Sequence, residues 1–277
     1  MSALCSEVNG GATGTHLSYN WSMSWASQRR TNYAIGVIIF FLVIIGGPIA
    51  HWYFTIPVSC FDGIQNQGET AVDMGGPCEL LDPHALSSEA ILWTRAFRVR
   101  DGSYNAVTYI RNQNATAGVL QASYKFGLYD ANNILVAEQS GTTPLMPGTI
   151  TPIFSGAVDT GNRVVTHAYF EFTAPLKWEK LSDTSSVINI HDTSVTDTQT
   201  VPRVSAIATN TSVKDLKNVI FIVTAFDPAG NAFAASQTAV DALPAGTDQS
   251  IVFTWPNPFH VPVGRVDIKV VTAPSSF

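Results

Sequence analysis

Apolar and polar residues follow three textures along this chain. Residues 33–50 read YAIGVIIFFLVIIGGPIA, an unbroken apolar run with no charged side chain. At ~1.5 Å per helical residue the run spans about 27 Å, close to the ~30 Å hydrocarbon core of a bilayer. It predicts a membrane-spanning helix over residues 31–54. Pro48 lacks an N–H, and its ring crowds the carbonyl four residues back, so the helix is expected to kink or end near Gly46–Pro48. Residues 55–85 are different. Gly, Asp, Asn and Pro recur without a periodic apolar face, and turns are expected. From about residue 86 short runs take over, among them AILWTRAFRV, AVTYI, LQASYKFGLY, HAYFEF, VIFIVTAF, SIVFTW and RVDIKV. They are rich in β-branched and aromatic residues and are bounded by Gly, Pro, Asn or Asp, with no sustained helical period. This spacing predicts an all-β sandwich architecture.

The β-rich part also resembles itself. YIRNQN (109–114) aligns with IATNTS (207–212), placing Asn112 on Asn210. FGLYDANNILVAEQSGTTPLMPG (126–148) aligns with VTAFDPAGNAFAASQTAVDALPAG (223–246), placing Asp130 on Asp227 and Gly148 on Gly246. Each unit is close to 100 residues, the size of one sandwich domain. Two such domains are expected, at 86–178 and 199–277, with the polar stretch 179–198 between them. In each unit a strand runs into Asp-Ala-Asn-Asn or Asp-Pro-Ala-Gly-Asn. These are turn sequences that return the chain antiparallel.

Charge supplies topology. Arg29 and Arg30 precede the apolar run, and no Lys or Arg follows it until Arg95. Positive charge favours the cytoplasmic side, so residues 1–30 are expected inside a cell membrane and residues 55–277 outside. Tyr33 at one end and Trp52, Tyr53 and Phe54 at the other suit the interfaces. A cleaved signal peptide is the rival reading. Its apolar core would be about 7–15 residues with a small-residue cleavage site after it, whereas here the core is longer and bulky residues follow. In residues 1–30, Trp21 and Trp25 stand four apart on what would be one face of a short interfacial helix; a disordered tail is the simpler expectation. The chain carries a net charge of -6. A weakly acidic exterior with few Lys argues against nucleic acid as a partner and against docking onto anionic lipid. Cys5 falls inside, while Cys60 and Cys78 fall outside, where thiols oxidise. If these two pair, the closed loop contributes about 3 kcal/mol; the alternative is two free thiols.

Phe126-Gly127-Leu128-Tyr129-Asp130 resembles the signature of the FxLYD domain, a small immunoglobulin-like sandwich of bacterial and archaeal envelope proteins. The second copy, Val223-Thr224-Ala225-Phe226-Asp227 with Leu243-Pro244-Ala245-Gly246 and Phe253-Thr254-Trp255-Pro256, resembles it more loosely. The layout as a whole is similar to single-span proteins of candidate-phylum bacteria. The resemblance implies two tandem immunoglobulin-like antiparallel β-sandwiches after one N-terminal transmembrane helix. It also implies a non-catalytic adhesion, scaffold or assembly role. The segment after the span resembles a bacterial Cys/Gly/Asp-rich module. Cys60, Asp62, Gly63, Asn66, Glu69, Asp73, Gly75, Gly76 and Cys78 match it, while Met74 and Leu81 replace two of its cysteines. If the module pairs first with third and second with fourth, one bridge is lost and Cys60–Cys78 remains.

Candidate chemistry is sparse. Asp62, Asn66, Glu69 and Asp73 offer hard oxygen ligands for Ca²⁺, although the spacing is not that of an EF-hand and such residues also build turns. The six histidines (16, 51, 84, 167, 191, 260) are scattered, with no zinc spacing. His167 lies in a strand and is expected to be exposed. No G-x-S-x-G elbow, P-loop or G-x-G-x-x-G is present. Asp130 and Asp227 hold equivalent places, which suits a turn residue and not a catalytic pair. Trp255 is expected to cap a core, the alternative being an exposed face. Asn20, Asn114 and Asn210 stand in N-x-S/T sequences. The expected protein is a non-enzymatic, membrane-anchored envelope scaffold or adhesion subunit without an obligatory cofactor. It would bind the bilayer and an envelope protein or a second copy of itself. A ligand-binding or sensory ectodomain acting through a partner is the alternative.

Overall fold

The computed structural model describes residues 25–55, 59–181 and 187–271. It divides into two units, Met1–Val58 and Ser59–Phe277. Cys5, Asn20 and Trp21 lie outside the described residues.

In the first unit α1 (Trp25–Phe41) passes through a π-helical turn (Leu42–Gly46) into α2 (Gly47–Thr55). The helix therefore does not end at Pro48. The widened turn comes just before the proline, where an ordinary α-turn would lose a bond and meet the ring. The Gly47 N–H still bonds the Val43 carbonyl. Residues Gln28–His51 form one helix long and apolar enough to cross a membrane, and the apolar window has no protein cover. Leu42 and Val43 are each 65% exposed. A helix that is apolar all round needs an apolar medium around it.

The second unit is built from antiparallel strands. They are β1 (Ala90–Arg100), β2 (Ser103–Arg111), β3 (Ala117–Tyr129), β4 (Leu135–Leu145), β5 (Ile150–Asp159), β6 (His167–Phe172) and β7 (Glu179–Lys180). Then follow β8 (Ile188–Thr196), β9 (Arg203–Asn210), β10 (Leu216–Phe226), β11 (Ala232–Leu243), β12 (Asp248–Thr254) and β13 (Arg265–Val271). Sheet β1-β2-β5 packs on sheet β4-β3-β6, and β7 adds to β3. Sheet β12-β9-β8 packs on sheet β11-β10-β13. The strand order of β1–β6 thus recurs in β8–β13. The polar stretch expected to separate the domains is mostly structured: β7 belongs to the first sandwich and β8 to the second. Strand β8 escapes a sequence reading because its outward positions are polar and its pairing is broken between His191 and Ser194, where Asp192 adopts a left-handed φ of 51°.

Each sandwich has its own core. Phe126, Leu128, Ile110, Leu145 and Ile153 fill the first; Phe221, Phe253, Leu216, Leu243 and Ile251 fill the second. The matched turn residues do matched work. Asn112 donates to the Ala117 and Met146 carbonyls, and Asn210 donates to those of Lys214 and Leu243. Both are almost wholly buried. Asp130 accepts from the amides of Asn132 and Ile134, and Asp227 from that of Asn231. Amide hydrogen bonds, from Ile134 and Asn231 respectively, hold both carboxyls below their ordinary pKa.

The sandwiches are not separate beads. A third apolar cluster, Phe97, Val107 and Tyr109 with Phe226, Ala232 and Ala235, lies between sheets β1-β2-β5 and β11-β10-β13. Four sheets therefore stack face to face. Strand β2 is buried over nearly its whole length because both of its faces are covered.

Candidate functional site

Three places carry the chemistry of the second unit: the loop after the membrane helix, the seam between the sandwiches, and a cleft where that seam opens.

In the loop Cys60 and Cys78 are joined by a disulfide, with Cα atoms 5.4 Å apart. Cys78 is buried, and the buried Glu69 places Oε1 2.9 Å from its sulfur. Three of the four candidate calcium ligands, the carboxylates of Asp62, Glu69 and Asp73, are engaged with the loop itself, whereas the buried Asn66 Oδ1 has no hydrogen-bond partner among the described residues. Asp73 accepts from the amides of Asp62 and Gly63, and Glu69 Oε2 from those of Asn66 and Asp73. Asp62 accepts from the Asn66 side chain at 3.1 Å and from the Ile64 amide at 2.9 Å. The Asn66 bond, then that of Ile64, lowers its pKa. Carboxylate lone pairs a cation would need are thus directed at N–H groups. Among the described residues, Cys60, Glu69 and Cys78 bring three ligand-type atoms within 4.8 Å of one another. The disulfide leaves no thiolate in that set. Lys180 ties the loop to the first sandwich through the carbonyls of Gly76 (3.1 Å) and Cys78 (2.8 Å). Asn114 and Ser87 exchange two further bonds.

At the seam Trp93 stacks on Tyr109 with ring centroids 4.5 Å apart and meets Phe226 edge-on. Arg265 lies 3.6 Å above the other ring partner, Phe226. The Tyr109 hydroxyl stands 3.0 Å from Thr224 Oγ1 and 3.3 Å from Asp267 Oδ2. The Tyr109 hydroxyl is placed to donate to either oxygen, and the carboxylate can only accept. Burial, then the Asp267 charge, pushes the phenol pKa well above its ordinary value. Arg95 donates to the Ala232 carbonyl and Asn105 to that of Ala235. Sequence reasoning missed these residues. The signal was present in VIFIVTAF (219–226), whose near-continuous apolar character marks a strand covered on both faces.

The chain enters the first sandwich at the end that holds the disulfide loop and the β2–β3 turn. At the opposite end the β1–β2 hairpin meets the β5–β6 loop through Thr160 and Gly102, and Asp130 pairs with Arg163 at 3.0 Å. At that far end the seam opens into a cleft of about 400 Å³. Its walls are Arg98, Arg100 and Asp101 from the first sandwich and Trp255, Phe259 and His260 from the second. Asn257 bridges them by donating to the Val99 carbonyl at 2.7 Å. Trp255 is buried, as the core expectation held; its Nε1–H donates to Ala235 and its ring meets Phe259 edge-on. Arg98 pairs with Asp101 across the hairpin tip. Arg100 and His260 are exposed. The cleft thus has an aromatic floor, Trp255 and Phe259, with the exposed Arg100 guanidinium at its rim.

The remaining candidates are dispersed. His167 is half-buried, stacks on Tyr129, and has a buried Nε2 without a protein partner; the expectation of an exposed histidine is corrected accordingly. The side chains of Asn114 and Asn210 are buried and hydrogen-bonded, so the folded chain withholds both from glycosylation.

No family model matches the chain, and no curated protein matches it in sequence. Among solved structures, the crystal structure of red sea bream transglutaminase is similar at 10% identity and a TM-score of 0.21, covering 68% of this chain and 32% of that one. The chain thus spans about a third of that protein, and so low a likeness carries no argument.

Proposed function

We infer that this is a single-pass, membrane-anchored, non-enzymatic envelope protein that presents a double sandwich to a protein partner. It needs no cofactor. Arg29 and Arg30 hold the N-terminus inside, and residues 59–277 stand outside. The observation that carries the reading is the polarity of the stacked sandwiches. The chain enters at one end, and the two domains jointly build a cleft at the other, roughly 40 Å away along the thirteen-residue β3. Confinement to the membrane plane raises local concentration, so a modest interface suffices for assembly. Burial at the seam fixes the cleft walls relative to each other and lowers the ordering cost of binding.

The test is capture from native membranes with the intact protein and with an Arg100→Glu, His260→Glu variant. Both positions are exposed, so the variant is expected to fold. Envelope proteins that co-purify with the parent and are lost with the variant support the reading. Equal capture by both contradicts it. A small molecule that raises Tm for the parent alone, without protein capture, supports the ligand-binding alternative, for which a cleft of this size also suffices.

A further inference from the structure

The disulfide loop ends in an exposed apolar tip. Phe61 is 85% exposed and Ile64 60%. Their backbone is held: Asp73 bonds the amides of Asp62 and Gly63, and Asp62 bonds that of Ile64. The loop is in turn closed by Cys60–Cys78 and clamped by Lys180 onto the end of the first sandwich. Two apolar side chains are thus displayed in water on a tip braced from behind, at an energetic cost that lipid contact would remove. The tip also sits close to the span in sequence. Thr55 ends the helix and Cys60 begins the loop, a tether of five steps that reaches at most about 18 Å.

We propose that Phe61 and Ile64 insert into the headgroup–acyl boundary of the bilayer and so seat the disulfide loop on the membrane surface. The ligand surface is zwitterionic lipid, recognised by apolar contact alone. No Lys or Arg occurs from residue 59 to 94, whereas Asp62, Glu69, Asp73, Glu79, Asp82 and Glu89 do, so attraction to anionic headgroups plays no part. In this assignment the acidic residues that resemble a calcium loop serve as amide acceptors that shape the tip. The proposal rests on the helix spanning the membrane.

The test uses the full chain in phosphatidylcholine nanodiscs, with photoreactive benzoylphenylalanine at one position at a time. Position 61 is the tip, position 42 lies in the apolar helix, and position 164 is 63% exposed at the opposite end of the first sandwich. Position 61 should give roughly ten-fold or more lipid adduct than 164, the ratio that burial of one Phe side chain supports. Position 42 should also label lipid. Adduct at 42 without 61 overturns the seating and leaves the span intact; adduct at neither overturns the span as well. Protein cross-links from 61, or equal lipid labelling at 61 and 164, overturn the proposal. Phosphatidylglycerol should not raise labelling at 61, and a rise would overturn its apolar basis.

Discussion

Two faces of this molecule occupy the same place in the fold and meet opposite fates. On the outward face of sheet β4-β3-β6, Gly127 lies between Glu138 and Tyr169, and Tyr129 between Leu135 and His167. On the equivalent face of β11-β10-β13, Thr224 lies between Ala235 and Asp267, and Phe226 between Ala232 and Arg265. The second face is covered by β1 and β2 and carries the seam. The first is open to water. Its Lys125 bridges Glu138 at 2.8 Å and Glu171 at 3.1 Å, where the second sandwich has Ile222 in place of the lysine. The bonds to Glu138 and then Glu171 raise the Lys125 pKa. Backbone geometry is shared, so side chains alone decide which face stacks. The charged open face ends the stack, as polar capping ends a solenoid.

The largest expected contrast comes from substituting the matched aromatics. Phe226→Ala should cost about 3–5 kcal/mol, as for a buried core Phe, while Tyr129→Ala should stay under about 1 kcal/mol. Denaturant unfolding of the full chain in detergent reads both. Equal losses would mean that the seam contributes nothing beyond each sandwich. Next come positions whose work is independent of which face is covered. Asn112→Ala and Asn210→Ala should each cost about 2–3 kcal/mol, because each strands buried carbonyls. A loss at one alone would break the equivalence of the two turns.

Tyr109→Phe should cost about 1 kcal/mol and has a pH signature. The folded-state pKa of Tyr109 is raised above that of the unfolded chain. Its contribution is therefore fully present below about pH 10 and is lost as pH rises beyond it, because only the unfolded state ionises readily. The parent should lose stability across that alkaline range more steeply than Tyr109→Phe; parallel curves would place the phenol outside the seam. The smallest effect is expected at Lys125→Met on the open face, with no measurable change in Tm.

Local chemistry was legible in the sequence, and the stack was not. Asp130, Asp227, Asn112 and Asn210 act through hydrogen bonds to neighbours a few residues away or to the adjoining turn, so composition and spacing reveal them. The strand runs announced two sandwiches for the same reason. Trp93 and Tyr109 meet Phe226 across more than 100 residues of chain, and no spacing records such a meeting. The doubly apolar β10, set beside the alternating ASYKFGLY of β3, held the one local trace of the seam. The acidic loop was ambiguous in the sequence because carboxylates that cap amides and carboxylates that bind cations share a composition. Helix continuity past Pro48 followed from the length of the apolar run, but the π-turn before it did not, since such a turn leaves no compositional mark.

Whether the four sheets unfold as one body decides the account. Native-state hydrogen exchange on the full chain with Phe226→Ala measures this directly. Phe226 belongs to the second sandwich, yet protection at Phe126 and Leu128 in β3 should fall by the same free energy as at Phe221 and Val223 in β10. Loss confined to β10, with β3 unchanged, would show two independent domains and contradict the stacked body.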